Sequence, residues 1–366
     1  MKKVYYAGMD VHKETVEISV FLNAGKEPEF EKRLPNDHSK IIKLLKKYQQ
    51  LGQVKACYEA GCMGFALKRA CDEAEIDCQI VSPGKLPRKP GDRIKTDRRD
   101  ARILAKTLRA GEADGIYVPT LEDEAARDYI RARDDIKNEL KRVKQQLLKF
   151  LLRYGYEYGA GSYWTRKHRS WMKEIEFTNK LQQKTFQAYY ARMVETEQRL
   201  ALMEAEIVEI SQTDRYRQSV NRLRCFKGID HLVALAIVCE IGDFRRFAKA
   251  EGFMAYLGLV PCEHSSGDKR RQSSITKSGN GHLRRLLVEA SWHFRYPCAP
   301  SKRLTARRVG QDIEVITYAD RAMYRLQKKF SKMLLRGKTK NVTVIAVSRE
   351  LAGFVWGLMN NKIEAA

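Results

Sequence analysis

The chain opens with two runs whose apolar and polar positions suit strands. Val4-Tyr5-Tyr6-Ala7-Gly8-Met9-Asp10 is β-rich, Thr15-Val16-Glu17-Ile18-Ser19-Val20-Phe21 alternates, and His12-Lys13-Glu14 lies between them, so residues 4–21 predict a hairpin. A third strand is expected at Phe30 to Leu34. Ile41, Ile42, Leu44, Leu45 and Tyr48 then recur at helical spacing behind an Asn36-Asp37 start signal. Gln53 to Tyr58 reads as a strand, Gly64 to Ala74 as a helix and Cys78 to Val81 as a strand, which gives the order β-β-β-α-β-α-β. Past Pro83 the chain turns basic, and Ala/Leu/Ile periodicity predicts a helix from about Thr96. The first domain is expected to close near Pro119, so it takes residues 1–119.

Residues 120–215 are expected to be helical. Ile136, Leu140, Val143, Leu147 and Phe150 step by four and three, the spacing of a coiled-coil seam. After an aromatic and basic interruption, Tyr189, Met193, Leu200, Met203, Ile207 and Ile210 continue the period. These helices pair either with each other or with another subunit. The interruption mixes Tyr154, Tyr156, Tyr158, Trp164 and Trp171 with Arg166, Lys167 and Arg169, a composition that suits either stacking on unpaired RNA bases or a hydrophobic plug between domains. Residues 216–366 form a third, mainly helical domain. It begins with two helices around the turn Lys227-Gly228-Ile229-Asp230, continues through a polar, basic loop into a helix near Gly281, and ends in basic helices and an apolar one from Val342 to Met359.

Composition narrows the partners. Sixty-nine Lys and Arg against 45 Asp and Glu leave a formal net charge of +24, a surplus that fits a polyanion, nucleic acid first. A membrane surface would also attract such a chain, but no apolar run is read as reaching the roughly 18 residues that span a bilayer. No signal core opens the sequence, so a cytoplasmic protein is expected. Cys57, Cys62, Cys71, Cys78, Cys225, Cys239, Cys262 and Cys298 never form the two-residue-gapped pairs of zinc sites and are read as reduced thiols.

Four acids stand out against this basic background. The order of elements is that of a ribonuclease H-like sheet, in which the first and fourth strands are neighbours. Asp10 and Glu59 would therefore converge at one end of it. Asp97 and Asp100, three apart on a helix, share a face and can point to one place. Gathered carboxylates raise one another's pKa unless a cation neutralises them. Oxygen ligands favour magnesium or manganese, and a pair of such ions roughly 3.5–4 Å apart stabilises attacking and leaving oxygens in phosphoryl transfer. Lys95, Arg98 and Arg99 beside them are candidates for binding a nucleic-acid backbone.

A second site is suggested by Ser265-Ser266-Gly267, which has Lys269, Arg270, Arg271, Lys277, Arg284 and Arg285 nearby in sequence. A serine needs a base, a metal or strong electrostatic support to act as a nucleophile, and cations can hold the scissile phosphate. Composition alone equally allows a serine-rich loop that only touches phosphates. The chain resembles the insertion-sequence 110 family of DEDD-type transposases through GMDVHKE at Asp10, YEAG at Glu59, KTDRRDA at Asp97 and Asp100, and LGLVPCEHSSGDKRRQSSITKSGNGHLRRLL near the C-terminus. The turn at Gly228 departs from that pattern in lacking a second glycine.

The resemblance implies a ribonuclease H-like (RuvC-like) domain, a coiled-coil spacer and a C-terminal transposase domain. It implies metal-dependent DNA recombination with Ser266 as nucleophile, a transient phosphoserine link, and a structured bridge RNA that pairs with donor and target DNA. Homodimers or homotetramers would share sites between subunits. Two other readings remain open at this point: a junction nuclease using the four acids alone, and a nucleic-acid scaffold without chemistry.

Overall fold

The computed structural model describes residues 3–85, 96–263 and 271–363, and the chain divides into two units, 1–118 and 119–366. In the first, β1 (Val4–Val11), β2 (Thr15–Leu22) and β3 (Phe30–Pro35) are followed by α1 (His38–Gln49), β4 (Gln53–Glu59), α2 (Ala66–Glu73), β5 (Asp77–Val81) and α3 (Asp97–Ala110). The sheet order is β3-β2-β1-β4-β5. Strands β1, β2 and β3 pair antiparallel, whereas β1, β4 and β5 pair parallel. Local chemistry sets the helix ends: the Asp37 carboxylate accepts the amides of Ser39 and Lys40 at the start of α1, Thr96 caps α3, and Gly111 in the left-handed region closes it.

The two-residue period of a strand sorts side chains to opposite faces of the sheet. Tyr5, Ala7 and Met9 of β1 join Ile41 and Leu45 of α1 and Leu67 and Cys71 of α2 in one core. The other face carries Cys57 and Val81 against Leu104 and Leu108 of α3. Gly8 lies on this second face, and a Cβ there would collide with the backbone oxygen of Ala101 and the amide nitrogen of Ala105. Ala101 and Ala105, one turn apart and fully buried, are equally small. Backbone therefore packs almost directly on backbone where α3 crosses β1. The crossing is tied by Arg102 of α3, whose Nη2 donates to Glu31 Oε2 of β3 at 2.6 Å.

The second unit is helical: α4 (Leu121–Arg153), α5 (Arg166–Lys173), α6 (Lys180–Ser211), α7 (Arg217–Leu223), α8 (His231–Ile241), α9 (Ala250–Tyr256), the short strands β6 (Pro261–Glu263) and β7 (Gln272–Ile275), then α10 (Gly281–Ser291), α11 (Lys302–Arg308), α12 (Ile313–Leu335) and α13 (Lys340–Met359). Helices α4 and α6 pack on each other: Leu140, Val143, Leu147 and Phe150 of the predicted seam are buried with Phe186 and Met193. Lys144 of α4 pairs with Glu197 of α6 at 2.6 Å. The aromatic and basic segment folds onto this pair. Tyr156, Trp164 and Trp171 pack against its core, and Tyr158, Trp164 and Trp171 surround the fully buried His168.

One sequence expectation is corrected. By length and composition α13 is long and apolar enough to cross a membrane, although Arg349 and Glu350 interrupt its middle. Leu351, Val355 and Leu358 are fully buried with Leu286 and Phe330 in the core of the second unit, so the apolar run is satisfied by protein. All eight cysteines are free.

The contact at Gly8 yields a prediction. Gly8→Val places a branched side chain against the backbone of α3, and overpacking of this kind costs about 3 kcal/mol or more. Chemical denaturation should show that loss, whereas Gly61→Ala, where a Cβ meets nothing within 4 Å, should leave both stability and the hydrogen exchange of residues 101–108 unchanged.

Candidate active site

Asp10 and Glu59 lie two residues beyond Gly8 and Cys57 respectively, so strand parity sends both to the face that α3 covers. Met9 is in register with Tyr58, which sets Asp10 and Glu59 side by side at the C-terminal ends of neighbouring parallel strands. Asp97 and Asp100 occupy the first turn of α3, where the helix dipole favours negative charge.

Asp10, His12 and Asp97 form a close cluster, their ligand atoms all within 4.8 Å of one another. His12 Nε2 lies 3.1 Å from Asp10 Oδ2 and 3.6 Å from Asp97 Oδ1. Asp97 is also paired with Arg33. Burial raises the pKa of Asp10, His12 opposes that rise, and the charges of Asp97 and Asp100 add to it. Asp100 thus belongs to the same electrostatic site, while Glu59 stands outside the close cluster. Carboxylates held together at the cost of mutual repulsion, with an imidazole between them, suit a divalent cation. The residues present fit such an ion: Asp10 and Asp97 supply hard oxygens, His12 supplies a ring nitrogen beside both, and Arg33 pairs with Asp97.

The remaining named residues fall in several places. Ser265, Ser266, Lys269, Arg270 and Lys95 lie outside the described residues. Arg98 Nε is 3.8 Å from Glu17 Oε1 and 3.6 Å from Glu31 Oε2, and Arg99 is exposed. Arg271 and Lys277 are both exposed, Lys277 with a left-handed backbone. Arg284 Nη1 donates to the Leu257 carbonyl at 2.9 Å. Arg285 bonds Glu289 Oε1 at 2.9 Å and pairs with Asp134.

Strands β6 and β7 bracket the serine segment, with Pro261 opposite Ile275 and Glu263 opposite Gln272. Behind them the chain at 276–280 runs back along 256–260: Thr276 N donates to Val260 O and Asn280 N to Tyr256 O, both at 2.9 Å. Gly258 and Gly279, both at positive φ, make this return possible, since a Cβ on either would strike the backbone opposite. Asn280 then caps α10 by accepting the Leu283 amide at 3.0 Å.

A buried polar network fixes this base. His282 Nε2 lies 2.9 Å from Asp134 Oδ2 of α4, and Nδ1 faces Glu240 Oε1 of α8 at 3.6 Å, a charge contact too long for a hydrogen bond. Asn280 Nδ2 donates to Glu240 Oε2 at 3.0 Å, and Arg131 Nη2 donates to Glu240 Oε1 at 2.7 Å. Burial alone would raise both acids. The hydrogen bond with His282 and the charge of Arg285 on Asp134, and the close imidazole of His282 with the charges of Arg131 and Arg127 on Glu240, outweigh it and hold each at about 2. Asp134 and Glu240 in turn raise His282. Sequence reading missed His12, Asp134, Glu240 and His282. An Asn-Gly step before a helix does signal a cap at Asn280.

Against this geometry, comparison with known proteins is direct. Residues 220–303 match the family described as Transposase IS116/IS110/IS902, and residues 7–156 match the DEDD transposase domain of the IS110 group. The transposase for insertion sequence element IS1533 of Leptospira borgpetersenii is 37% identical over 338 residues, 91% of this chain and 97% of that relative. Putative transposase y4qE of Sinorhizobium fredii is 38% identical over 82% of this chain and 74% of its own length. The pilin gene-inverting protein of Moraxella lacunata is 24% identical over 71% of this chain and 65% of its own length. Such a chain is a DNA-acting transposase, and its DEDD domain points to dependence on a divalent metal. It belongs to the IS110/IS116/IS902 family of insertion-sequence transposases.

The network predicts a pH profile. A histidine raised by folding contributes stability that is complete below its ordinary value of 6.5 and lost as pH rises through the folded value. The two acids contribute above their ordinary values of 3.8 and 4.5 and lose it as pH falls toward about 2. The contribution of His282, read as the melting-temperature difference between the parent and His282→Gln, should therefore be largest at about pH 6 and shrink as pH rises past about 6.5.

Proposed function

We propose that this transposase is a magnesium-dependent, RNA-guided DNA recombinase in which Ser266 is the nucleophile. The observation that carries the reading is the meeting of Asp10 and Asp97 beside His12 beneath the start of α3, with the charge of Asp100 felt at Asp10. Residues 1–119 act as a ribonuclease H-like (RuvC-like) domain, supported by five strands in the order β3-β2-β1-β4-β5 with α3 across one face. Residues 120–215 serve as a coiled-coil spacer and a handle for homodimers and homotetramers. Residues 216–366 form the transposase domain that carries the serine.

Asp10, Glu59, Asp97 and Asp100 would hold magnesium, with manganese a substitute, and the bound ion would neutralise charge developing on a DNA phosphate. His12 and Arg33 keep the acids aimed before the ion arrives. In the other half of the chemistry, Arg271 and Lys277, with Lys269 and Arg270, hold the phosphate while the Ser266 hydroxyl attacks. A bond from Oγ to phosphorus forms and the bond to one deoxyribose oxygen breaks. The serine gives up its proton and the leaving oxygen gains one, so no water or redox partner is consumed. Reversal of the same exchange with a different strand end rejoins DNA. A relative named for inverting a gene supports this, because inversion requires cutting followed by rejoining.

A structured guide RNA pairs with donor and target DNA and sets sequence choice, and Lys95, Arg98 and Arg99 contact the nucleic-acid backbone beside the acids. The net charge of +24 supports a chain that manages several polyanionic strands at once.

Trapping the reaction under denaturing conditions tests the reading. A covalent protein–DNA adduct should form with the parent, vanish with Ser266→Ala, and fall by on the order of 100-fold or more with Asp10→Asn. DNA cleavage that persists in Ser266→Ala with no adduct in the parent would instead identify a nuclease working through the acids alone.

A further inference from the structure

The turn between α7 and α8 meets α11 around a cavity of about 490 Å³, and none of its lining residues belongs to the carboxylate cluster or the serine segment. Lys227, His293, Arg303 and Arg307 line it, and Asp230 is the carboxylate among the lining residues. That acid already caps α8, accepting the Val233 amide at 3.0 Å.

The cations are placed but not neutralised. Lys227 Nζ donates to the Pro297 carbonyl at 2.8 Å, and Arg307 Nη2 donates to the Phe226 carbonyl at 3.0 Å. Both bonds are to neutral carbonyls and fix the heads, and the single carboxylate of Asp230 offsets the charge of Arg307 only in part. Arg303 is exposed and makes no ion pair or hydrogen bond among the described residues. The buried Nε atoms of Arg307 and of neighbouring Arg224 have no hydrogen-bond partner there either. Burial, followed by repulsion from Arg224, lowers Arg307 to about 10 against the attraction of Asp230, and burial also lowers Lys227, His293 and Arg224. Cations crowded in a part-desolvated pocket with idle donors are costly unless an anion completes them. Gly228, at positive φ and pressed against the Ala290 carbonyl, holds the Lys227 turn in place.

We infer that this cavity is a docking pocket for one backbone phosphodiester of a nucleic-acid strand, a grip separate from both catalytic groups. The arginines supply flat, multi-donor heads that match phosphate oxygens, and Lys227 supplies a fixed point charge. The inference rests on the family's DNA substrate and is independent of the serine reading.

The test uses the full chain and a labelled DNA duplex of arbitrary sequence, titrated at several salt concentrations. Arg303→Ala should weaken binding by roughly 3- to 10-fold and flatten the dependence on salt by about one unit of logarithmic slope. Arg303→Glu should weaken it further, and Arg303→Lys should restore most of it. Because Arg303 makes no ion pair or hydrogen bond among the described residues, the melting temperature should hold. The same loss in a Ser266→Ala background would keep the pocket distinct from the catalytic proposal. Unchanged affinity and slope in both Arg303→Ala and Arg303→Glu would overturn the inference. So would stabilisation by inorganic phosphate that depends on Arg303 while DNA binding does not.

Discussion

The candidate metal site depends on one contact, the near-touching of two backbones where α3 crosses β1. Gly8 has no side chain, Ala101 and Ala105 have the smallest ones, and the helix consequently sits low on the sheet. Everything chemical in the first unit follows from that height. Two residues beyond Gly8 the strand carries Asp10, one short of its end at Val11, and one turn before Ala101 the helix begins with Asp97. A bulkier crossing would separate the acids by the thickness of a side-chain layer. The ties from Arg102 to Glu31 and from Arg33 to Glu17 and Asp97 hold the crossing in register.

Charge is organised differently in the two units. In the first, acids on one sheet face are kept ionisable but uneasy, with Asp10 raised by burial and like charge. In the second, Asp134 and Glu240 are each held low by a shared histidine and by arginines, an arrangement that stiffens rather than reacts. The first is the electrostatics of a site awaiting a cation. The second is that of a fixed base for the strands that bracket the serine segment.

Much of the architecture was legible in the sequence, because apolar periodicity reports directly on burial. The three opening strands, the alternation of α1, β4, α2 and β5, and the seam of Leu140, Val143, Leu147 and Phe150 were all readable as patterns. Asp10 and Asp97 could be paired by assuming a sheet topology. His12 and Arg33 could not, since one sits in a hairpin turn and the other on an edge strand, and neither position has a periodic signature. The network of Asp134, Glu240 and His282 joins residues up to 148 positions apart, and no local pattern encodes such a contact. The apolar helix α13 was misjudged as too short a run because Arg349 and Glu350 divide it, whereas averaging over a helix length passes over them.

The central claim is that Asp10 and Asp97 serve one ion. Calorimetric titration of manganese into the parent, Asp10→Asn, Asp97→Asn and the double variant forms a closed cycle. A shared site predicts that either substitution alone removes most of the affinity and that the second adds little. Losses that simply add, each aspartate acting without regard to the other, would contradict the account.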